Sequence, residues 1–253
     1  MLAPVDEPLI RALQLDAPCR IADVACGGGS TTRALLRRSA TGSIVHGFDI
    51  SPSVIELACS RIPSGSPDIA FHVGDMATAT PPNERYDRLT SRFGVMFFDD
   101  PLSAFANLLR WLAPRGRFAF AVWGPVDGNP WMSTVRDAVA KVTEVPSPDP
   151  AAPGPFRYAE IETLLTLLAR VGFDDLRVNT WRGALPLGVG LPTVEAAAFA
   201  LSAFASFGEL LAKAGGTAFD DARQLLTVSF ARMERDAVLR MDACVHVVSG
   251  GRS

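Results

Sequence analysis

Apolar residues come in short runs separated by stretches of helical period from residue 20 to residue 123. The runs Arg20–Ala25, Ser43–Ile50, Ile69–Val73, Tyr86–Ser91 and Arg117–Trp123 have the length and the β-branched or aromatic content of buried strands. Between them the pattern predicts helices near Thr31–Arg38, from Pro52 to about Arg61 and from Pro101 to about Leu112. Ser51 and Asp100 stand where N-caps belong, each followed by a proline at the first helical position. Pro114 and Gly116 are expected to turn the chain into the fifth strand. Five unbroken strand–helix repeats predict a parallel sheet covered on both faces.

The second half is less regular. Pro130–Val142 reads as a helix and Val145–Pro155 as a proline-rich loop. Glu160–Val171 carries apolar residues at Ile161, Leu164, Leu165, Leu168 and Val171, one face of a helix, with Gly172 as its C-cap. Leu176–Trp181 reads as a strand, Phe219–Val238 as a helix and Ala243–Val248 as a last strand. Residues 182–216, rich in Ala, Leu and Phe, form an insert between them, and no internal repeat is evident. The expectation is one domain over residues 1–253.

The chemistry concentrates at the ends of the first four strands. The first runs into Gly27, Gly28 and Gly29, where backbone N–H groups at a helix start lie open to a ligand. Asp49 ends the second strand, placed to hold two ribose hydroxyls, so a nucleoside-containing cofactor is expected. A dinucleotide fingerprint G-x-G-x-x-G fails here, because Thr32 stands where the third glycine would support a pyrophosphate. Acids flank the loop instead, with Asp23 before the glycines and Asp75 after the third strand. An amino-acid moiety with an ammonium group suits that arrangement better.

Charge and cysteines narrow the partners. A net charge of −3 gives no basic field for a phosphate backbone, which disfavours nucleic acid as substrate. The four cysteines, Cys19, Cys26, Cys59 and Cys244, show neither disulfide nor metal spacing, so no metal is expected. The start Met-Leu-Ala-Pro-Val-Asp-Glu lacks a basic leader region, and Ala196–Phe207 is too short to span a bilayer. A cytoplasmic protein without membrane insertion is expected, its oligomeric state open but compatible with a homodimer.

Three motifs in order, Asp23-Val24-Ala25-Cys26-Gly27-Gly28-Gly29, Gly47-Phe48-Asp49-Ile50-Ser51 and Val73-Gly74-Asp75-Met76, resemble the class I S-adenosylmethionine-dependent methyltransferases. The run Ser91–Phe98, with Leu112–Arg117 and Asn129-Pro130-Trp131, is similar to a bacterial small-molecule group that includes the ubiquinone and menaquinone methyltransferases. The resemblance covers the elements from Arg20 to Val248. It implies an α/β, doubly wound Rossmann-like sheet of seven strands, mostly parallel with one antiparallel strand, and a helical cap at 182–216. It also implies S-adenosylmethionine as cofactor and a small-molecule substrate. Family members usually carry a further lid before the segment matching Met1–Ala17, and here that lid is expected to be short or absent.

Carried over residue by residue, Ala25, Cys26, Gly27 and Gly29 would pass the methionine portion along bare backbone, with Asp23 just behind. Thr31 and Thr32, in the first turn of the following helix, are donors for the methionine carboxylate or simply helix residues. Asp49 would take the ribose with Ile50 against the adenine, and Asp75 and Met76 would take the adenine amino and ring groups. Ser91 and Arg92 would face the sulfonium side or the substrate. Phe93, Phe97, Trp123 and Trp131, with Phe199, Phe204 and Phe207 in the insert, suit an aromatic or lipophilic acceptor or ordinary packing.

No general base announces itself. His46, His72 and His246 read as sheet residues, and Asp100 is spent as a cap, which leaves Asp99 as the candidate. Two rival readings remain: a protein that binds S-adenosylmethionine without methylating, for rearrangement or partner binding, and an NAD-dependent oxidoreductase. Thr32 and the want of a Tyr/Lys or His pair count against the second.

Overall fold

The computed structural model describes residues 2–63, 65–147, 149, 151–187, 190–203, 205–235 and 238–253. Five parallel strands form most of the sheet: β1 (Arg20–Val24), β2 (Ile44–Asp49), β3 (Ile69–Val73), β4 (Tyr86–Arg92) and β5 (Leu112–Trp123). Beyond them come β6 (Asp174–Leu187), the two-residue β7 (Glu234–Arg235) and β8 (Val238–Gly251). The main path runs β3-β2-β1-β4-β5-β8-β6, with β7 paired to β8. This is the expected seven-strand Rossmann-like sheet, and β8 lies antiparallel beside β5.

Strand order fixes where a ligand can enter. From β1 the chain steps outward to β2 and β3, then returns to the opposite side of β1 for β4. The connections diverge at the carboxyl ends of β1 and β4, and such a switch point opens a crevice.

The helices are α1 (Asp6–Leu13), α2 (Ser30–Arg38), α3 (Pro52–Cys59), α4 (Pro101–Trp111), α5 (Pro130–Ala140), α6 (Ile161–Val171), α7 (Thr193–Ala203), α8 (Ala205–Ala214) and α9 (Ala218–Ala231). Local signals account for several ends. Asp100 accepts from the Ser103 N–H at 3.1 Å and caps α4. Gly172 ends α6 at φ 103°, a left-handed cap that suits glycine, while Leu164 and Leu168 bury its apolar face. Among the described residues, no single helix is long and apolar enough to cross a membrane.

Several expected boundaries move. No element was expected before Arg20, yet α1 forms there and buries Leu9, Ile10 and Leu13. β5 starts at Leu112 rather than Arg117, because Leu112 already pairs with Tyr86 and residues 113–116 bulge out before pairing resumes at Arg117. β6 runs to Leu187 and takes the first residues of the 182–216 insert. The helix expected over 219–238 stops at Ala231, where the chain turns so that Glu234 and Arg235 pair with Leu239 and Val238. Hairpin pairing there overrides helical propensity. Ser51 stands at the N-cap of α3, but its side chain makes no cap bond.

The chain divides into two compact units. One comprises residues 5–124, 151–181 and 245–253 and contains β1 to β5. The other comprises residues 1–4, 125–150 and 182–244, where α5, α7 and α8 each pack on α9.

Candidate functional site

The loop after β1 is built from left-handed backbone. Ala25, Gly27 and Gly29 have φ of 54°, 55° and 74°, and the Gly29 N–H closes the turn on the Cys26 carbonyl at 3.1 Å. Gly29 has a second constraint, since a Cβ there would fall 2.5 Å from the Phe71 ring. Around Gly27 a Cβ would meet nothing within 4 Å, so that backbone faces open space. The Cys26 N–H donates to the Phe48 carbonyl at 2.9 Å and fastens the loop to β2. Burial, then Asp23 and Asp49, push the Cys26 thiol above its ordinary range, which makes it a packing group rather than a nucleophile.

Asp49 joins the loop to the end of β2. Its Oδ2 accepts from the Gly27 N–H at 2.9 Å and its Oδ1 from the Ser51 N–H at 3.0 Å. Beside it Ile50 is 71% exposed, an apolar side chain left in solvent. After β3, Asp75 accepts from the Ala77 N–H at 2.9 Å and the Thr78 hydroxyl at 3.0 Å, shaping the turn that presents Met76. Met76 is buried and its carbonyl accepts from Asn107 Nδ2, which also reaches the Ala79 carbonyl. Asn107 lies on α4, and nothing in its sequence context pointed to this bracing role.

Behind the loop lies Asp23, 1% exposed, whose Oδ2 accepts from the Thr32 hydroxyl at 2.7 Å. Burial pushes its carboxyl up to about 7, against the opposing pull of the Thr32 bond and the Arg92 charge. Ser91 is fully buried and donates to the Val24 carbonyl at 2.8 Å, tying β4 to β1. Arg92 and Thr31 both donate to Asp6 on α1, at 2.8 Å and 3.1 Å. Sequence reasoning missed Asp6, because its partners lie 25 and 86 residues away.

Next to the switch point Phe93 has φ of 66°, a costly conformation for a bulky residue, and its ring stacks on Trp123 at 4.1 Å and 8°. Phe97 is 53% exposed. Trp131 belongs to the second unit, where it is buried and its indole N–H donates to Asn129 Oδ1 at 3.3 Å. Phe199 is exposed and Phe207 buried, while Phe204 lies outside the described residues. Asp99 is exposed.

The histidines are held within the sheet. His46 Nδ1 lies 2.7 Å from the Tyr86 hydroxyl, and burial, then His72 and Arg20, push its pKa down to about 4. His72 stacks on Phe48, and His246 meets the Thr180 hydroxyl at 2.9 Å. Among the described residues no group of three or more His, Cys, Asp or Glu is placed to hold a metal.

Residues 21–116, from β1 into β5, match the family model described as a methyltransferase domain. Residues 21–116 carry a methyltransferase domain. Malonyl-[acyl-carrier protein] O-methyltransferase of Halalkalibacterium halodurans is 31% identical over 113 residues, covering 44% of this chain and 41% of that protein. Demethylmenaquinone methyltransferase of Thermus thermophilus is 31% identical over 109 residues, covering 43% and 49%. The chain thus spans about half the length of these curated relatives. The YcgJ protein of Bacillus subtilis superposes with a TM-score of 0.62 at 14% identity, covering 99% of this chain and 98% of that one, a likeness of fold.

The cofactor of class I methyltransferases is S-adenosylmethionine, and the methyltransferase domain has a fitting donor set. Open backbone at Gly27 and Gly74, where a Cβ would meet nothing within 4 Å, flanks the carboxylates of Asp49 and Asp75. Ile50, next to Asp49 in sequence, supplies an exposed apolar surface.

Proposed function

We propose that this protein binds S-adenosylmethionine and transfers its methyl group to a small molecule with a flat aromatic or lipophilic body. The observation that carries the reading is the bond from the Gly27 N–H to Asp49. It sets a ribose-type carboxylate against open glycine backbone at the switch point. Asp49 would accept from the ribose hydroxyls, Ile50 would cover one face of the adenine, and Asp75 with the Met76 N–H would take its edge. Ala25, Cys26, Gly27 and Gly29 would line the methionine portion, with Asp23 behind them and Thr31, Ser91 and Arg92 around its far end.

When bound, S-adenosylmethionine supplies a methyl carbon activated by its sulfonium. The domain's residues then need chiefly to align acceptor and carbon and to exclude water, because positive charge disperses during transfer. The Phe93–Trp123 stack and exposed Phe97 support a flat apolar acceptor. Where that acceptor must lose a proton, Asp99 is the proposed base. The reading of 182–216 as a substrate cap stays a proposal, while the buried, hydrogen-bonded Trp131 is left to packing in its own unit.

Titration calorimetry against S-adenosylmethionine and NAD tests the cofactor. Micromolar binding of the first, about −8 kcal/mol, is expected with NAD inert. Binding of NAD alone would overturn the reading. A panel of aromatic and quinone-like acceptors, read by mass gain of one methyl group, then tests the transfer.

A further inference from the structure

Asp6 places a carboxylate at the point where the proposed cofactor would bring its own. Its Oδ1 accepts from Arg92 Nη1 at 2.8 Å and from the Thr31 hydroxyl at 3.1 Å. The second arm of the guanidinium, Nη2, donates to the Ser30 hydroxyl at 2.9 Å. This is not a loose surface pair, since the two charged side chains are only 13% and 15% exposed. It ties the first turn of α1 to the first turn of α2 and to the end of β4, while Leu9 and Leu13 bury the rest of α1.

Arg92 is a cation at the start of α2, on the Ser30 hydroxyl, while Arg61 Nη1 is spent on the Gly28 carbonyl at 2.8 Å, and Thr31 is a hydroxyl at the positive end of α2. Arg92 and Thr31 both suit a carboxylate, and both are already engaged by one. A second carboxylate arriving there meets a neutralised arginine, an occupied hydroxyl and a like charge.

We propose that Asp6 is a positioning residue that holds the ligand-carboxylate seat, so that an amino-acid-bearing ligand binds by displacing the first turn of α1. The proposal rests on the reading of the site as one for an adenosyl cofactor. It predicts that Asp6 discriminates between adenosyl ligands by whether they carry a carboxylate. S-adenosylhomocysteine must compete with Asp6. Methylthioadenosine, which has the same nucleoside and thioether but no amino-acid tail, need not.

The test titrates both ligands into the wild-type chain, Asp6→Asn and Asp6→Ala by calorimetry. Affinity for S-adenosylhomocysteine should rise at least fivefold in both variants, while affinity for methylthioadenosine stays within twofold. A merely structural role for Asp6 would shift both ligands by the same factor, and that result overturns the proposal. So does a loss of affinity confined to S-adenosylhomocysteine, which would make Asp6 a helper of the tail. If neither ligand binds the wild-type chain, the cofactor reading itself fails, a separately recognisable outcome.

Hydrogen exchange on the wild-type chain gives a second readout that needs no variant. The amides of Ile10 and Arg11 bond the carbonyls of Asp6 and Glu7 through the helical i to i−4 pattern. S-adenosylhomocysteine should speed their exchange at least threefold and methylthioadenosine should not. Slower or unchanged exchange with S-adenosylhomocysteine overturns the displacement.

Discussion

The backbone N–H of Gly27 donates to Asp49 Oδ2 at 2.9 Å, so a residue of the loop after β1 is hydrogen-bonded to the last residue of β2. The parallel pairing of Val24 with Phe48 brings the two strand ends level. A carboxylate accepts about four hydrogen bonds, and Asp49 spends one on Gly27 and one on Ser51. Two acceptor positions remain, which matches the two hydroxyls of a ribose.

Asp49→Ala should therefore damage both the loop and the binding. It removes two backbone N–H bonds to a carboxylate, each worth about 1.5–3 kcal/mol, and both acceptors for the sugar. Affinity for S-adenosylhomocysteine should fall at least tenfold by calorimetry, with a lower Tm but a cooperative unfolding transition. Unchanged affinity would remove Asp49 from the site.

Asp23 makes stability depend on pH in an unusual direction. Its folded pKa, about 7, lies above the ordinary value of 3.8. Between about pH 4 and pH 7 the folded chain keeps a proton that the unfolded chain has released, so stability falls as pH rises. The contribution is complete below the unfolded pKa and lost once pH passes 7, with about 4 kcal/mol as its order of magnitude. Asp23→Asn stays neutral throughout and should lose this slope. Urea midpoints of the two chains across that range check it, and parallel pH profiles would assign the proton elsewhere.

Phe93 separates strain from stacking. At φ 66° a residue with a Cβ costs about 1–2 kcal/mol that glycine avoids. Phe93→Gly and Phe93→Ala both lose the stack on Trp123, but only the alanine variant keeps the strain. The glycine variant should melt about 2–8 °C above the alanine variant. Both should bind an aromatic acceptor more weakly while S-adenosylhomocysteine binding stays near wild type. Equal melting temperatures would mean that the backbone at 93 relaxes freely.

The parts legible in the sequence are those that local physics settles. Apolar runs of strand length marked β1 to β4, and a capping aspartate before a proline marked the start of α4. Glycines after β1 announced open backbone at a helix start, which the structure forms with left-handed residues, and Asp49 followed at the next strand end. The tertiary structure decided what each polar group faces. Asp6 carries no signal of its own, yet it meets Arg92 across 86 residues because α1 docks beside the end of β4. Asn107 braces Met76 and Ala79 only because α4 packs there, and residues 232–235 leave the helix only because β8 offers a partner. Turns, caps and strand periodicity depend on a few neighbouring residues and can be read in order. Charge pairing and the choice between helix and hairpin depend on distant segments that chain folding alone brings together.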